Sequence, residues 1–202
     1  MSELRILWLK TEFLHPVDKG GKIRSFHILR GLRDSNHVTY LTLDDGAAPN
    51  DALERAQEYC QVVEPVPFRT ARKGSFRFYL DLARSLLSPL PYAVFRWRSS
   101  AFQQRIRELV GEGNIDLLVC DFLAPSSNVP EGLSIPTVLF QHNVEALIWR
   151  RHAEVARSWV RRKFMQVQAR RMARFEQKEC RRYDLVLAVS DADERTIRDE
   201  YD

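Results

Sequence analysis

The chain has 202 residues, of which 45% are hydrophobic and 29% are charged, a balance that fits a folded domain and excludes wholesale disorder. Its longest apolar runs, such as residues 185–189, are much shorter than the ~20 residues that a membrane-spanning helix needs. The three cysteines form no C-x-x-C pair, so they provide no zinc-binding spacing and are typical of a reducing compartment.

The first third of the chain alternates short apolar segments with helical patterns. Strands are predicted at residues 4–9, 37–43 and 60–66, and helices at residues 22–33 and 51–59. This alternation predicts a parallel sheet that is covered by helices on both faces.

The middle of the chain is less regular between residues 68 and 98. Apolar residues recur there at helical spacing and predict an amphipathic helix: Phe76, Tyr79, Leu80, Leu82, Ala83, Leu86 and Leu87. Residues 93–98 form an aromatic, basic connector, and residues 101–110 form another predicted helix. The segments 116–120 and 137–141 are continuously apolar, as in parallel strands that are buried on both faces.

The last third begins with a segment, residues 143–182, that contains neither glycine nor proline. Its apolar spacing is helical, and its length predicts a break, which we place near residues 157–161. Residues 184–189 form a sixth predicted strand, and the sequence from Ser190 to Asp193 resembles a capping box that opens a final helix.

Six strands interleaved with helices predict one doubly wound, mostly parallel α/β domain of the Rossmann-like class over residues 1–202. In such folds, ligands bind beyond the carboxyl ends of the strands, where the strand order reverses. The loops that we expect to carry chemistry are therefore residues 10–21, 121–130 and 141–145.

The first of these loops leads into a predicted helix through Gly20 and Gly21. Glycine lets the backbone approach a ligand closely, and a helix start attracts anions. Lys19, Lys22 and Arg24 add positive charge, so the segment is a candidate phosphate contact. It matches neither the dinucleotide fingerprint nor the P-loop. The alternative interpretation is a turn that needs glycine.

The other two loops contribute His142 and Asp121, each directly after a predicted strand. His142 is placed to exchange a hydrogen bond or a proton with a ligand near neutral pH. Alternatively, Asn143 caps a helix, and the neighbouring His142 forms its hydrogen bonds within the protein and contacts no ligand. Glu145 is either a helix-start carboxylate or a polar contact in the cleft. Asp121 is a candidate for holding a substrate hydroxyl, or it is an ordinary loop aspartate.

Two segments concentrate the positive charge of the chain. Residues 69–110 contain nine Lys and Arg against two acids, and residues 150–182 contain twelve against three. Such blocks are either solvated faces or contacts for an anionic partner, for which we expect a membrane surface. Because no helix-turn-helix, finger or RNP pattern is present, we expect no nucleic-acid partner.

Several of these segments, taken in order, resemble the N-terminal domain of family 4 retaining glycosyltransferases with the GT-B fold. The resemblance rests on residues 18–24 (DKGGKIR), 38–43, 116–121 (DLLVCD), 137–145 (TVLFQHNVE), Glu176 and 183–190 (YDLVLAVS). Similar proteins are bacterial enzymes, in the cytoplasm or at the inner face of the membrane, that build polysaccharides and glycolipids.

The resemblance implies an acceptor-binding domain that works with a second, donor-binding domain and needs no metal. The donor would be a UDP- or GDP-linked sugar, and the reaction a hexosyl transfer to a glycan or lipid-linked acceptor. Gly20 and Gly21 would approach the donor diphosphate, and His142 would lie beside the transferred sugar. Asp121, Asn143, Glu145, Lys19 and Arg24 would line the cleft. The family's E-x7-E motif is not found in residues 191–202, so we expect the 202 residues alone to be inactive.

Two other interpretations use the same residues. One is a non-catalytic Rossmann-like module that binds a nucleotide or phosphosugar through Gly20 and Gly21. The other is a peripheral membrane adaptor that acts through the two basic segments.

Overall fold

The computed structural model describes residues 3–72 and 74–201, and it contains one six-stranded sheet. The strands are β1 (Arg5–Lys10), β2 (His37–Asp44), β3 (Val62–Pro67), β4 (Leu117–Asp121), β5 (Thr137–Gln141) and β6 (Leu185–Ala188). All neighbouring pairs are parallel, and their order across the sheet is β3-β2-β1-β4-β5-β6. This is the order of a Rossmann fold, and its topological switch point lies between β1 and β4.

The helices connect these strands and cover both faces of the sheet. They are α1 (Gly20–Arg33), α2 (Ala52–Ala56), α3 (Phe76–Leu86), α4 (Tyr92–Phe95), α5 (Ser100–Gly111), α6 (Glu145–Glu154), α7 (Trp159–Arg182) and α8 (Asp191–Tyr201), with a 3₁₀ turn at Ala124–Asn128. The predicted doubly wound α/β class is confirmed.

Alternate residues of the central strand β1 face opposite layers of the core. Leu7 and Leu9 pack with residues of α5 and α7, whereas Ile6 and Trp8 pack with residues of α1. Burial on both faces explains why this strand is apolar at consecutive positions and shows no alternation. Lys10, at the end of the strand, continues the row of Ile6 and Trp8 and is itself buried.

Most predicted boundaries differ from the structure by one to three residues, the largest difference being the end of α2 at Ala56 and not at residue 59. Strand β3 begins at Val62 and not at residue 60, because the N–H of Cys60 still donates to Ala56 O at the end of α2. Helix α1 begins at Gly20, so the two glycines form its first turn and do not precede it. Within the segment predicted as an aromatic connector, Tyr92–Phe95 forms the short helix α4.

The break in the long C-terminal helix is confirmed, but it lies slightly earlier than predicted. Helix α6 ends at Glu154 and α7 begins at Trp159, with Ser158 in an extended conformation between them. The guanidinium of Arg162 donates to Ala156 O at 3.1 Å and holds this corner. Because no glycine or proline lies in this corner, the sequence could not predict the exact position of the break.

Candidate functional site

The carboxyl ends of β1 and β4 lie side by side at the switch point and carry two charged side chains. Asp121 is the last residue of β4 and Lys10 the last residue of β1. Both side chains are buried, and Lys10 Nζ lies 2.7 Å from Asp121 Oδ2. Two opposite charges thus share a water-excluded position at the edge where α/β folds bind ligands.

Asp121 joins four side chains from three parts of the fold: strand β1, helix α1 and the end of β5. Its Oδ2 accepts hydrogen bonds from Trp8 Nε1 at 2.9 Å, Lys10 Nζ at 2.7 Å and Ser25 Oγ at 2.6 Å, and its Oδ1 lies 2.7 Å from His142 Nε2. Burial by itself would raise the pKa of Asp121. The charge of Lys10 and the hydrogen bond from His142 outweigh it, so the pKa is lowered and the carboxylate stays ionised.

The partners of His142 define its tautomer. An ionised carboxylate only accepts, so the Nε2–H donates to Asp121. The guanidinium of Arg24 only donates, so Nδ1, which lies 3.1 Å from Arg24, accepts. Burial lowers the pKa of His142, and the charges of Lys10 and Arg24 oppose the effect of Asp121. The ring is therefore neutral at pH 7, and its one lone pair is directed at Arg24.

Phe122 links this histidine to the start of α1. Its ring stacks on the His142 ring with centroids 3.8 Å apart and an interplanar angle of 3°. A Cβ on Gly21 would lie 2.5 Å from Phe122 Cζ, so any side chain at this position would require the Phe122 ring to shift. Phe122 also has a positive φ of 78°, which is rare for a side-chain-bearing residue and indicates that the surrounding contacts hold it there.

The start of α1 favours negative charge. Lys19 is the N-cap residue, no side chain caps the helix, and its first turn contains no acid. The first-turn N–H groups and the helix dipole therefore provide a partial positive charge beside Phe122 and His142. A Cβ on Gly20 would meet nothing within 4 Å, so the backbone there is open to a ligand.

Asn143 does not cap α6, contrary to the alternative considered for it. The N-cap is Val144, and the capping group is the carboxylate of Glu176, which comes from α7. Glu176 accepts from the backbone N–H groups of Glu145 at 2.8 Å and Ala146 at 3.0 Å, and also from Gln141 Nε2 at 3.1 Å. This buried carboxylate ties the strand end that carries His142 to the helix that follows it.

Glu145 itself lies at the first position of α6 and is half-buried. Burial, together with the nearby charge of Glu176, raises the pKa of Glu145 to about 7. Asn143, Lys19 and Arg24 are exposed at the same edge of the sheet. The structure thus brings all the predicted site residues to one edge.

A cleft of about 250 Å³ adjoins this edge between the loop after β1 and the loop after β2. Its lining includes Asp44 and Asp45 after β2, Lys19 and Lys22 on the α1 side, and Trp97. A wider cleft of about 520 Å³ lies at the opposite, amino edge of the sheet, where the Rossmann topology places no ligand.

Sequence reasoning missed four residues of the site: Trp8, Lys10, Ser25 and Phe122. Of these, Lys10 had a usable signal, because a lysine that closes an apolar strand is placed at the ligand edge of a parallel sheet. The other three are ordinary core or helix residues in the sequence, and only their contacts identify them.

Comparison with known proteins gives one finding about family. The model of Glycosyltransferase Family 4 matches residues 20–202, which is nearly the whole chain. No significant match is found among curated proteins. Within the described residues, no helix is long and apolar enough to cross a bilayer, and no three His, Cys, Asp or Glu side chains are grouped to hold a metal ion.

Proposed function

Because the chain belongs to glycosyltransferase family 4, we propose that it is the acceptor-binding lobe of a retaining transferase. The enzyme moves a hexosyl group from a UDP- or GDP-linked sugar to a glycan or lipid-linked acceptor. The observation that carries the proposal is the convergence of Gly21, Phe122 and His142 at the switch-point edge. This edge is where a second lobe would close over a shared substrate.

The donor diphosphate is assigned to the start of α1. Gly20 leaves room for a phosphate against the backbone, and the uncapped helix end attracts negative charge. Lys19 and Arg24 add mobile cations at the same place, since both side chains are exposed. A bound diphosphate replaces the capping group that this helix lacks.

His142 is assigned the role of a hydrogen-bond acceptor for the transferred sugar. Its Nε2–H is held by the buried Asp121, so only Nδ1 is available to a substrate. Arg24 contacts Nδ1 from an exposed position, and a donor phosphate is a stronger acceptor for a guanidinium than a neutral imidazole. Arg24 therefore moves to the phosphate on donor binding, and Nδ1 then accepts a hydrogen bond from a sugar hydroxyl.

The acceptor is assigned to the cleft beside Asp44, Asp45 and Trp97, with Asn143 and Glu145 closer to the reacting centre. Carboxylates bind sugar hydroxyls as acceptors, and an indole offers an apolar face to a sugar ring. Glu145, whose pKa is about 7, also supplies a group that holds or releases a proton near neutral pH.

The test is the turnover of UDP- and GDP-sugars by the protein together with its donor lobe, read as nucleotide release. His142→Ala should lower kcat/KM by about 100-fold, because a contact made to the reacting sugar is lost. The matched control is His27→Ala, which removes an exposed histidine of α1 and should leave kcat/KM unchanged.

The 202 residues by themselves should release no nucleotide, because the donor lobe supplies the groups that stabilise the transition state. Unchanged kcat/KM in His142→Ala would contradict the assigned role of the histidine. Turnover by the 202 residues alone at the rate of the two-lobed enzyme would contradict the assignment of transition-state stabilisation to the donor lobe.

A further inference from the structure

Helix α3 lies on the body of the protein with an apolar face turned to solvent. Phe76 is 84% exposed, Tyr79 is 59% exposed, and Leu87, directly after the helix, is 92% exposed. Leu80, Ala83 and Leu86 complete the same row at intervals of three and four residues, and all are exposed. These six residues, which we call the α3 face, form a continuous apolar stripe that is open to solvent.

The opposite side of α3 is held firmly, so this orientation is a property of the fold. Ser85 is fully buried, and the Phe78 ring packs edge-on against Tyr92 with centroids 5.9 Å apart. The guanidinium of Arg171, from α7, donates to Ser85 O and Leu86 O, both at 2.8 Å. These backbone carbonyl groups at the end of α3 are thereby satisfied, and the apolar side chains of the α3 face take no part in these hydrogen bonds.

Arginines lie along one side of the α3 face and before its first turn. Arg77 and Arg84 lie two helical turns apart on the exposed part of α3, and Arg69 and Arg72 precede the helix. The one acid of α3, Asp81, is half-buried and lies 3.8 Å from Arg84. An apolar row of aromatic and leucine side chains that is bordered by arginines is the pattern of a helix that lies in the interface of an anionic bilayer.

The start of α7 continues this pattern. Trp159 and Val160 are exposed there, and Arg161, Arg162 and Lys163 follow directly. Val160, Val167 and Arg171 share one side of α7 by helical spacing, and Arg171 reaches α3. The apolar and basic character of α3 therefore extends toward the first turns of α7.

We propose that the α3 face docks the protein on an anionic membrane surface, with its apolar side chains among the lipid headgroups and the flanking arginines on lipid phosphates. The alternative occupant, a second copy of the chain, would bring the arginines of two α3 helices together and repel them. The proposal goes beyond the transferase assignment and does not depend on it, because it rests on a surface outside the switch-point edge.

The test is co-sedimentation of the protein with vesicles of phosphatidylcholine alone and with vesicles that contain 30% phosphatidylglycerol. Phe76→Ser/Leu87→Ser removes the two most exposed side chains of the α3 face. Its matched control is Leu53→Ser, which changes an exposed leucine on α2. Arg77→Gln/Arg84→Gln removes two flanking charges, with Arg107→Gln/Arg195→Gln as the control for net charge.

We expect binding to the anionic vesicles only, weakened by added salt. The arginine pair should lower the partition coefficient by about 30-fold, since each basic residue near the surface contributes about 1 kcal/mol. Phe76→Ser/Leu87→Ser should lower it by about tenfold or more. Both control variants should bind as the unchanged protein does.

Three results would overturn the proposal. The first is the absence of binding to anionic vesicles, and the second is equal binding by the α3 variants and their controls. The third is a dimer in analytical ultracentrifugation that Phe76→Ser/Leu87→Ser converts to a monomer, which would assign the α3 face to a second copy. Circular dichroism of each variant verifies that α3 and the sheet remain folded.

Discussion

Replacement of Asp121 by asparagine leaves the Lys10 ammonium buried without a counter-charge. Both side chains are essentially excluded from water in the native structure. Removing one partner of a buried ion pair typically costs about 3–5 kcal/mol, whereas replacing both partners is much less harmful. The stability of Asp121→Asn therefore depends on whether Lys10 keeps or loses its proton in the folded variant.

The loss in the free energy of unfolding of Asp121→Asn can be calculated from the cost of deprotonating Lys10. Burial already lowers the pKa of Lys10, against the opposing effect of Asp121. Without Asp121 the pKa falls further, and the folded protein holds a neutral lysine. Bringing a group with an unfolded pKa of about 10.4 to neutrality at pH 7 costs about 4–5 kcal/mol. The folded variant then binds fewer protons than the unfolded chain, so its stability rises with pH.

Urea unfolding followed by tryptophan fluorescence measures the effect. We expect Asp121→Asn to lose about 4 kcal/mol at pH 7 and about 2 kcal/mol at pH 9 relative to the unchanged protein. Lys10→Met/Asp121→Asn should recover most of the loss. The control is Asp116→Asn, which weakens the part-exposed pair with Arg5 and should destabilise the protein far less than Asp121→Asn does. A loss under about 1 kcal/mol, or one that is the same at both pH values, would refute the reasoning.

Two further predictions concern the same edge of the sheet. Gly21→Ala should destabilise the protein by about 1–3 kcal/mol in thermal unfolding, because the added Cβ displaces Phe122, whereas Gly20→Ala should be neutral or slightly stabilising; equal effects would contradict this. Glu145→Gln should stabilise the protein by about 3–4 kcal/mol at pH 8, since the raised pKa of Glu145, about 7, makes its ionisation in the folded state costly. The gain should disappear below pH 4, where the carboxyl is protonated in both states, and a gain that persists there would rule out this cause.

The candidate site was only partly predictable. His142 and Asp121 follow predicted strands, and parallel strands place their carboxyl ends at one edge, so their common location followed from the sequence. The sequence did not predict the hydrogen bond between them or the tautomer that this bond imposes on His142. Lys10 supplies the charge for Asp121 from a position 111 residues earlier in the chain, and local patterns carry no information about such a pair.

The class of the fold could be inferred from local sequence patterns. Continuous apolar segments alternating with helical periods permit little besides a parallel sheet covered on both faces, since each element must bury its apolar side. Which strands are neighbours, and hence that β1 and β4 meet at the switch point, became known only from the folded chain. The same is true of the capping of α6 by Glu176 and of the outward orientation of the apolar face of α3. Periodicity specifies only that a helix has an apolar side, whereas contacts between distant segments decide what that side faces.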